Sequence, residues 1–213
     1  KEKEKMMSVI YTMLCVCLGN PPNTFNWQIR DKKKKFLRYK NLTPIDFYRK
    51  HVGVKLKDKV CLINAPMSNK KINELYTVSF LGNVVGGQII KYANVDIDEM
   101  KKAAIKSIKN NEAVWFGCDV GKMFHRDLGV MDMDLYDYGS VLSTDFSMDK
   151  ATRLEYGDSL MTHAMLFTGV DIDGNKSTKW RVENSWGTKG GNKGYYLMTD
   201  KWFDEYNYEV VVD

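Results

Sequence analysis

The sequence predicts an α+β chain, with helices and short strands mixed through its first half and a β-rich second half. Three observations carry this. Apolar residues recur at helical spacing over residues 6–18 and again, behind an acidic capping sequence, over 96–109. From residue 163 onward, short runs rich in β-branched and aromatic residues alternate with turn-forming Asp-Gly-Asn and glycine-rich segments. No apolar run reaches the roughly 18 residues that a membrane-spanning helix requires.

Taken in order, Met6, Met7, Ile10, Met13, Leu14, Cys17 and Leu18 mark a first helix, stopped by Gly19 and Pro21-Pro22. Its apolar stripe is expected to pack into a core. Phe25 to Tyr39 is aromatic and basic and reads as a hairpin or extended segment. Thr43-Pro44-Ile45-Asp46 combines an N-cap Thr, Pro at the first helical position and an acid in the first turn, so a short helix is expected to about His51. Val60 to Asn64 and Leu75 to Leu81 read as strands, with a third over Gln88 to Tyr92 behind Gly86-Gly87. Asp96-Ile97-Asp98-Glu99 opens a helix to about Lys109 with Met100, Ala104 and Ile108 on one face. Ala113 to Cys118 is a short apolar strand. Gly121 to Phe146 has no clear period and reads as a long loop, followed by a short helix over Lys150 to Tyr156.

The remainder reads as β structure. Strands are expected over His163 to Asp171, Trp180 to Asn184, Tyr195 to Met198 and Tyr208 to Val212. Asp173-Gly174-Asn175 turns between the first pair, Gly187 to Gly194 is a glycine-rich loop, and Lys201 to Tyr206 is a short helix or turn. The expected division is a helix-and-strand region over 1–110 and a β domain over 111–213.

At 213 residues, 44% hydrophobic and 28% charged, the composition is that of an ordinary globular protein. Four cysteines without a CxxC pair exclude a disulfide framework, so reduced thiols and a cytoplasmic location are expected. A net charge of +5 does not identify a nucleic-acid binder. Lys32-Lys33-Lys34-Lys35 reads as a solvated loop rather than a phosphate contact. The chain opens on Lys-Glu-Lys-Glu-Lys without an initiator Met and ends on a strand-like run, so both ends are expected to be cut from a longer polypeptide.

The chemistry concentrates in two places: Thr162-His163-Ala164-Met165, and Arg181-Val182-Glu183-Asn184-Ser185-Trp186-Gly187. A strand, a turn and a return strand fit between His163 and Asn184 and would set the two side chains near each other. A thiol is mostly protonated at neutral pH, and an imidazole beside it can hold a thiolate–imidazolium pair. The imidazole must be held in one orientation, which an amide oxygen on its second ring nitrogen does without adding a full charge. His163 is thus the candidate base, Asn184 its orienting partner, and Trp186 the roof over their hydrogen bond. None of Cys15, Cys17, Cys61 or Cys118 sits in the Cys-Gly-Ser/Ala-Cys setting of a nucleophile of this kind. Cys15 and Cys17 read as helix packing, and Cys118 as inert strand packing, buried and distant from His163. His51 at a helix end and His125 in a loop receive no role. Asp171 to Asn175 resembles the start of a calcium loop, but the position that should hold Glu is Val182, so no metal site is expected. Gly187 to Gly194 is not followed by Gly-Lys-Ser/Thr and is not a phosphate loop. No cofactor is implied.

These residues resemble the bleomycin hydrolase and aminopeptidase C family of papain-like cysteine peptidases. The matching segments are Ala113 to Lys122, Ser159 to Met165, Thr178 to Gly187, and Gly194-Tyr195 with Met198 to Phe203. Cys17-Leu18-Gly19 with Pro21-Pro22, and Thr43-Pro44 with Phe47-Tyr48, also match, so the resemblance runs nearly end to end. It implies a papain-like fold, here its C-terminal β-rich half with family-specific helices and strands. It further implies cysteine aminopeptidase activity on peptides and bleomycin-like amides, in a cytosolic homohexamer with inward-facing sites. His163 carries over as the base and Asn184 as its partner. The family's nucleophilic Cys and oxyanion-hole Gln precede this part of the chain and have no counterpart here, nor has its C-terminal arm. The expected partner is therefore a Cys-bearing N-terminal portion. The alternative is a non-catalytic homologue acting as a binding or assembly module, with Lys32 to Lys35 as a patch for nucleic acid.

Overall fold

A computed structural model describes residues 1–82, 84 and 86–213 and resolves them into two units. One is built on Lys1–Lys57, the other on Asp58–Gly82 and Gly87–Asp213.

The first unit opens with helix α1 (Glu2–Leu18), closed by Gly19 at φ +84°. The helix forms as the spacing predicts, but no residue of it is buried. Its expected role in core packing is therefore corrected: the apolar side chains spread around the helix, and Val16 and Leu18 are among the most exposed. Strands β1 (Phe25–Arg30) and β2 (Phe36–Leu42) form an antiparallel hairpin. Its turn is held by Asp31, whose Oδ1 accepts from the backbone N–H groups of Lys33 and Lys35, both at 2.9 Å. Helix α2 (Pro44–Phe47) starts at the expected Thr43, whose Oγ1 accepts from Asp46 N–H at 3.2 Å. The chain then widens into a π-helical turn over Tyr48–Val52 before Gly53 stops it. The His51 ring lies 4.8 Å from Trp27, 4.6 Å from Tyr39 and 5.3 Å from Phe47, so it packs into the aromatic cluster of this unit.

The second unit contains, in order, β3 (Val60–Ile63), β4 (Glu74–Tyr76), β5 (Tyr92–Asn94), α3 (Ile97–Lys109), β6 (Val114–Cys118), β7 (Phe124–His125), β8 (Val130–Met131), α4 (Tyr138–Leu142), α5 (Lys150–Tyr156), β9 (His163–Asp173), β10 (Lys176–Glu183), β11 (Tyr195–Thr199), α6 (Asp200–Tyr206) and β12 (Asn207–Val212). Among the described residues the strands make one ten-stranded sheet in the order β4-β5-β3-β12-β6-β9-β10-β11-β8-β7. The β3–β5 and β11–β8 pairs are parallel and the others antiparallel.

This sheet runs across residue 110, so the expected division there is not where the fold divides. β3 pairs with β12 at the far end of the sequence, and Met100 and Ala104 of α3 belong to the core beneath it. Local pattern does not report such long-range pairing. Of the expected strand over Leu75 to Leu81 only Leu75 and Tyr76 are strand, as the end of β4, and the one over Gln88 to Tyr92 begins only at Tyr92. The segment read as one long loop, Gly121 to Phe146, holds β7, β8 and α4. Two-residue strands carry no periodicity, which is why the sequence concealed them.

The core is aromatic. Phe116 and Phe167 stack across β6 and β9 with centroids 3.8 Å apart, and Trp180 and Phe203 stack at 4.7 Å. Each ring removes on the order of 150–250 Å² from water, so this cluster dominates the hydrophobic stabilisation. Trp180 Nε1 donates to Asp200 Oδ1 at 3.0 Å, so its polar edge is satisfied. Among the described residues no helix is long and apolar enough to cross a membrane.

Candidate active site

The core sheet delivers the two predicted polar residues to one another. His163 is the first residue of β9, and Asn184 immediately follows the last residue of β10. The two strands are antiparallel neighbours, and Glu183 lies opposite Leu166. The hairpin turn falls at Gly174-Asn175, with Gly174 at φ +59°. Its closure returns Asn184 beside the start of β9, and His163 Nε2 lies 3.0 Å from Asn184 Oδ1.

The direction of that hydrogen bond follows from a second contact. The backbone N–H of Ser185 donates to the same Asn184 atom at 2.8 Å, so that atom must be the amide oxygen. His163 Nε2 therefore carries a proton, and in the neutral ring the lone pair lies on Nδ1. The Asn184 backbone is fixed as well, because its N–H donates to Gly194 O at 3.2 Å. Gly194 sits at φ +90°, and a Cβ there would fall 2.7 Å from Gly187 O. Only glycine closes the 187–194 loop at that point without pushing on the backbone that holds Asn184.

Trp186 covers the pair. Its ring lies 4.7 Å from the His163 ring at an interplanar angle of 35°, while 37% of its surface remains exposed. Two residues without a sequence-level role support it. The Arg126 guanidinium lies 4.9 Å from the Trp186 ring centroid, and Phe124 stands 6.3 Å away. Both belong to or follow β7, inside the segment that carried no periodic signal. His125, in the same strand, accepts at Nδ1 from Leu128 N–H at 3.3 Å and has no contact with the pair among the described residues.

All four cysteines are free. Cys15 and Cys17 lie in α1. Burial, with Glu209 nearby, raises the Cys61 thiol above its ordinary range. Cys118 corrects an expectation: it is fully buried but not distant from His163, being its ladder partner across β6 and β9. Sequence separation concealed that register. Burial, with the Asp119 charge behind it, pushes the Cys118 thiol far up, so the pairing does not make it a thiolate.

The sequence model of the Peptidase C1-like family matches residues 1–213. The chain is 53% identical over 218 residues to bleomycin hydrolase of Homo sapiens, covering 99% of this chain and 48% of the relative. It is 48% identical over 211 residues to aminopeptidase C of Lactococcus lactis subsp. cremoris, again covering 99% of this chain and 48% of the relative. The crystal structure of PepW from Lactobacillus rhamnosis HN001 superposes with a TM-score of 0.92 at 50% identity, covering 99% of this chain and 47% of that one. The chain thus spans about half the length of the curated relatives it matches. The α+β class and the family resemblance read from the sequence agree with these matches.

Proposed function

The chain belongs to the Peptidase C1-like family, and from that premise we propose that it is the base-bearing portion of a cysteine aminopeptidase. The observation that carries this reading is the His163–Asn184 pair, 3.0 Å apart under the Trp186 ring. The bare Nδ1 of His163 takes the proton of a cysteine thiol supplied by a Cys-bearing portion outside these 213 residues. The thiolate attacks the scissile carbonyl, forming a carbon–sulfur bond. The imidazolium, held by Asn184, then protonates the leaving amine as the carbon–nitrogen bond breaks. Water, deprotonated by the same imidazole, hydrolyses the thioester and restores the thiol. An amide partner suits this cycle, since its oxygen accepts from Nε2–H of both the neutral and the charged ring without adding a full negative charge. The substrates are peptides with a free N-terminus, and bleomycin-like amides, in a cytoplasmic homohexamer.

The test is hydrolysis of an aminoacyl fluorogenic amide by this chain alone, by this chain with the Cys-bearing portion, and by that pair carrying His163→Ala. Activity is expected only in the unsubstituted pair, and His163→Ala should lower it by on the order of 10³ or more, as for other members of a catalytic unit. Equal activity with and without the imidazole would sink the mechanism. Robust activity of this chain alone would place the nucleophile among its own cysteines.

A further inference from the structure

His163 stands at the first position of its strand, where ladder bonds hold it from one side only and strand ends open most readily. A base at a strand end needs an anchor in the segment that precedes it. That segment, Ser159 to Thr162, is strapped onto the end of β6 at every residue. Ser159 Oγ donates to Asp119 Oδ2 at 2.8 Å, and Leu160 N–H donates to the same oxygen at 3.3 Å. Thr162 Oγ1 donates to Asp119 Oδ1 at 3.3 Å, and Thr162 N–H donates to Cys118 O at 2.9 Å. Met161 lies over Gly117, where an added Cβ would come 2.3 Å from its sulfur. Asp119 is 5% exposed and Ser159 1% exposed. Tyr208 completes the network, its hydroxyl 2.5 Å from Ser159 Oγ.

We propose that Asp119 is the positioning residue of the active site, and that its carboxylate pins residues 159–162 so that His163 presents one ring orientation to Asn184. This rests on His163 being the base. A buried carboxylate with three donors is strongly held. Its donors all belong to the four residues ahead of the imidazole, so its removal releases the strand entry rather than the core. Asp119 acts through His163 and needs no contact with substrate.

The experiment reads the imidazole directly. The 213-residue chain is labelled with ¹⁵N-histidine, and the His163 signals are assigned by their loss in His163→Ala. The parent should show a single tautomer with the proton on Nε2. Asp119→Ala should lose that single pattern and show exchange between tautomers. In the pair with the Cys-bearing portion, it should lower kcat by about 10- to 100-fold with KM unchanged, as for a displacement of about 1 Å in a positioned group. Asp119→Asn should restore both readouts: its oxygen can face Ser159 and Leu160, while the Thr162 hydroxyl turns to accept from its amide. A parent-like tautomer pattern in folded Asp119→Ala overturns the proposal. Should Asp119→Ala fail to fold, Thr162→Val and Ser159→Ala carry the same test, and parent-like imidazole signals in both overturn it equally. The tautomer readout needs no nucleophile, so it stands or falls separately from the peptidase reading.

Discussion

Residues 2–18 and residues 163–212 are both rich in apolar side chains, but only the second stretch buries them. In the sheet, Phe167, Trp180 and Val182 are fully enclosed, whereas α1 encloses none of its side chains. Periodicity reports which face of an element favours burial, not whether a partner surface exists. The β9–β10 hairpin buries its alternating residues between α3, α6 and neighbouring strands. The apolar residues of α1 are instead distributed around the helix, and the same residue types mean different things in the two places. Truncation tests this most directly. Phe167→Ala should cost about 3–5 kcal/mol through lost transfer energy and a cavity. Leu14→Ala in α1 should stay within about 0.5 kcal/mol, as for other exposed positions. Denaturant unfolding of both variants measures the contrast, and equal losses would break it.

Backbone positions sharpen the same contrast. Gly53 ends the first unit's π turn at φ +68° with no atom within 4 Å of where a Cβ would stand. Gly194 combines a positive φ with the nearby Gly187 carbonyl. Gly53→Ala should therefore cost only the left-handed penalty, roughly 1 kcal/mol. Gly194→Ala adds a backbone clash and should cost about 2–3 kcal/mol. It should also displace Asn184, so a crystal structure of Gly194→Ala should show the His163–Asn184 distance lengthened beyond hydrogen-bonding range. An unchanged distance would mean that the loop yields elsewhere.

Buried charge also distinguishes the units, since among the described residues the buried charged side chains all lie in the second. Lys150 donates to Asn64 Oδ1 and Asn207 O, both at 2.7 Å, with its ammonium 5.1 Å from the Tyr208 ring. Burial lowers its pKa to about 7, against roughly 10.4 in an unfolded chain. Between those values the unfolded state binds more protons than the folded one, so the Lys150 contribution rises with pH from about 7 towards 10. The limit is about 1.4 kcal/mol per pH unit. Lys150→Met should lose overall stability through its two abandoned acceptors, yet show a flatter dependence over that range. Parallel pH profiles for parent and variant would show that Lys150 stays charged in the fold.

Much of the site was legible because its chemistry is local in sequence. Asn184-Ser185-Trp186-Gly187 sits at a strand end marked by alternation, and a Gly-Asn turn fixes its hairpin with His163. The supports were not legible, since they come from elsewhere. Asp119 reaches residues 159–162 only because β6 and β9 pair, and nothing near Cys118 announces that register. Phe124 and Arg126 stand beside Trp186 from a strand of two residues, below the length at which a period exists. The first helix failed differently: its helical spacing was read correctly, but its apolar side chains spread around the helix instead of forming one stripe.

The smallest expected effect concerns Lys32 to Lys35, the longest run of positive charge in the chain. The run forms the β1–β2 turn, and its backbone is held by Asp31 rather than by any lysine side chain. Lys34 occupies the left-handed position at φ +62°, a strain set by the backbone and independent of charge. Replacing Lys32, Lys33 and Lys35 by Gln should shift stability by less than about 0.5 kcal/mol. Asp31→Ala, one residue away, should cost more, on the order of 1 kcal/mol, by removing the acceptor for two N–H groups. The same triple variant tests whether the run is more than solvated surface. A duplex oligonucleotide titrated at rising salt should show only weak binding to the parent, with little difference between parent and variant. Tight binding at physiological salt, lost together with a salt slope of about three in the triple variant, would give the first unit a ligand and turn its exposure from a packing outcome into a function.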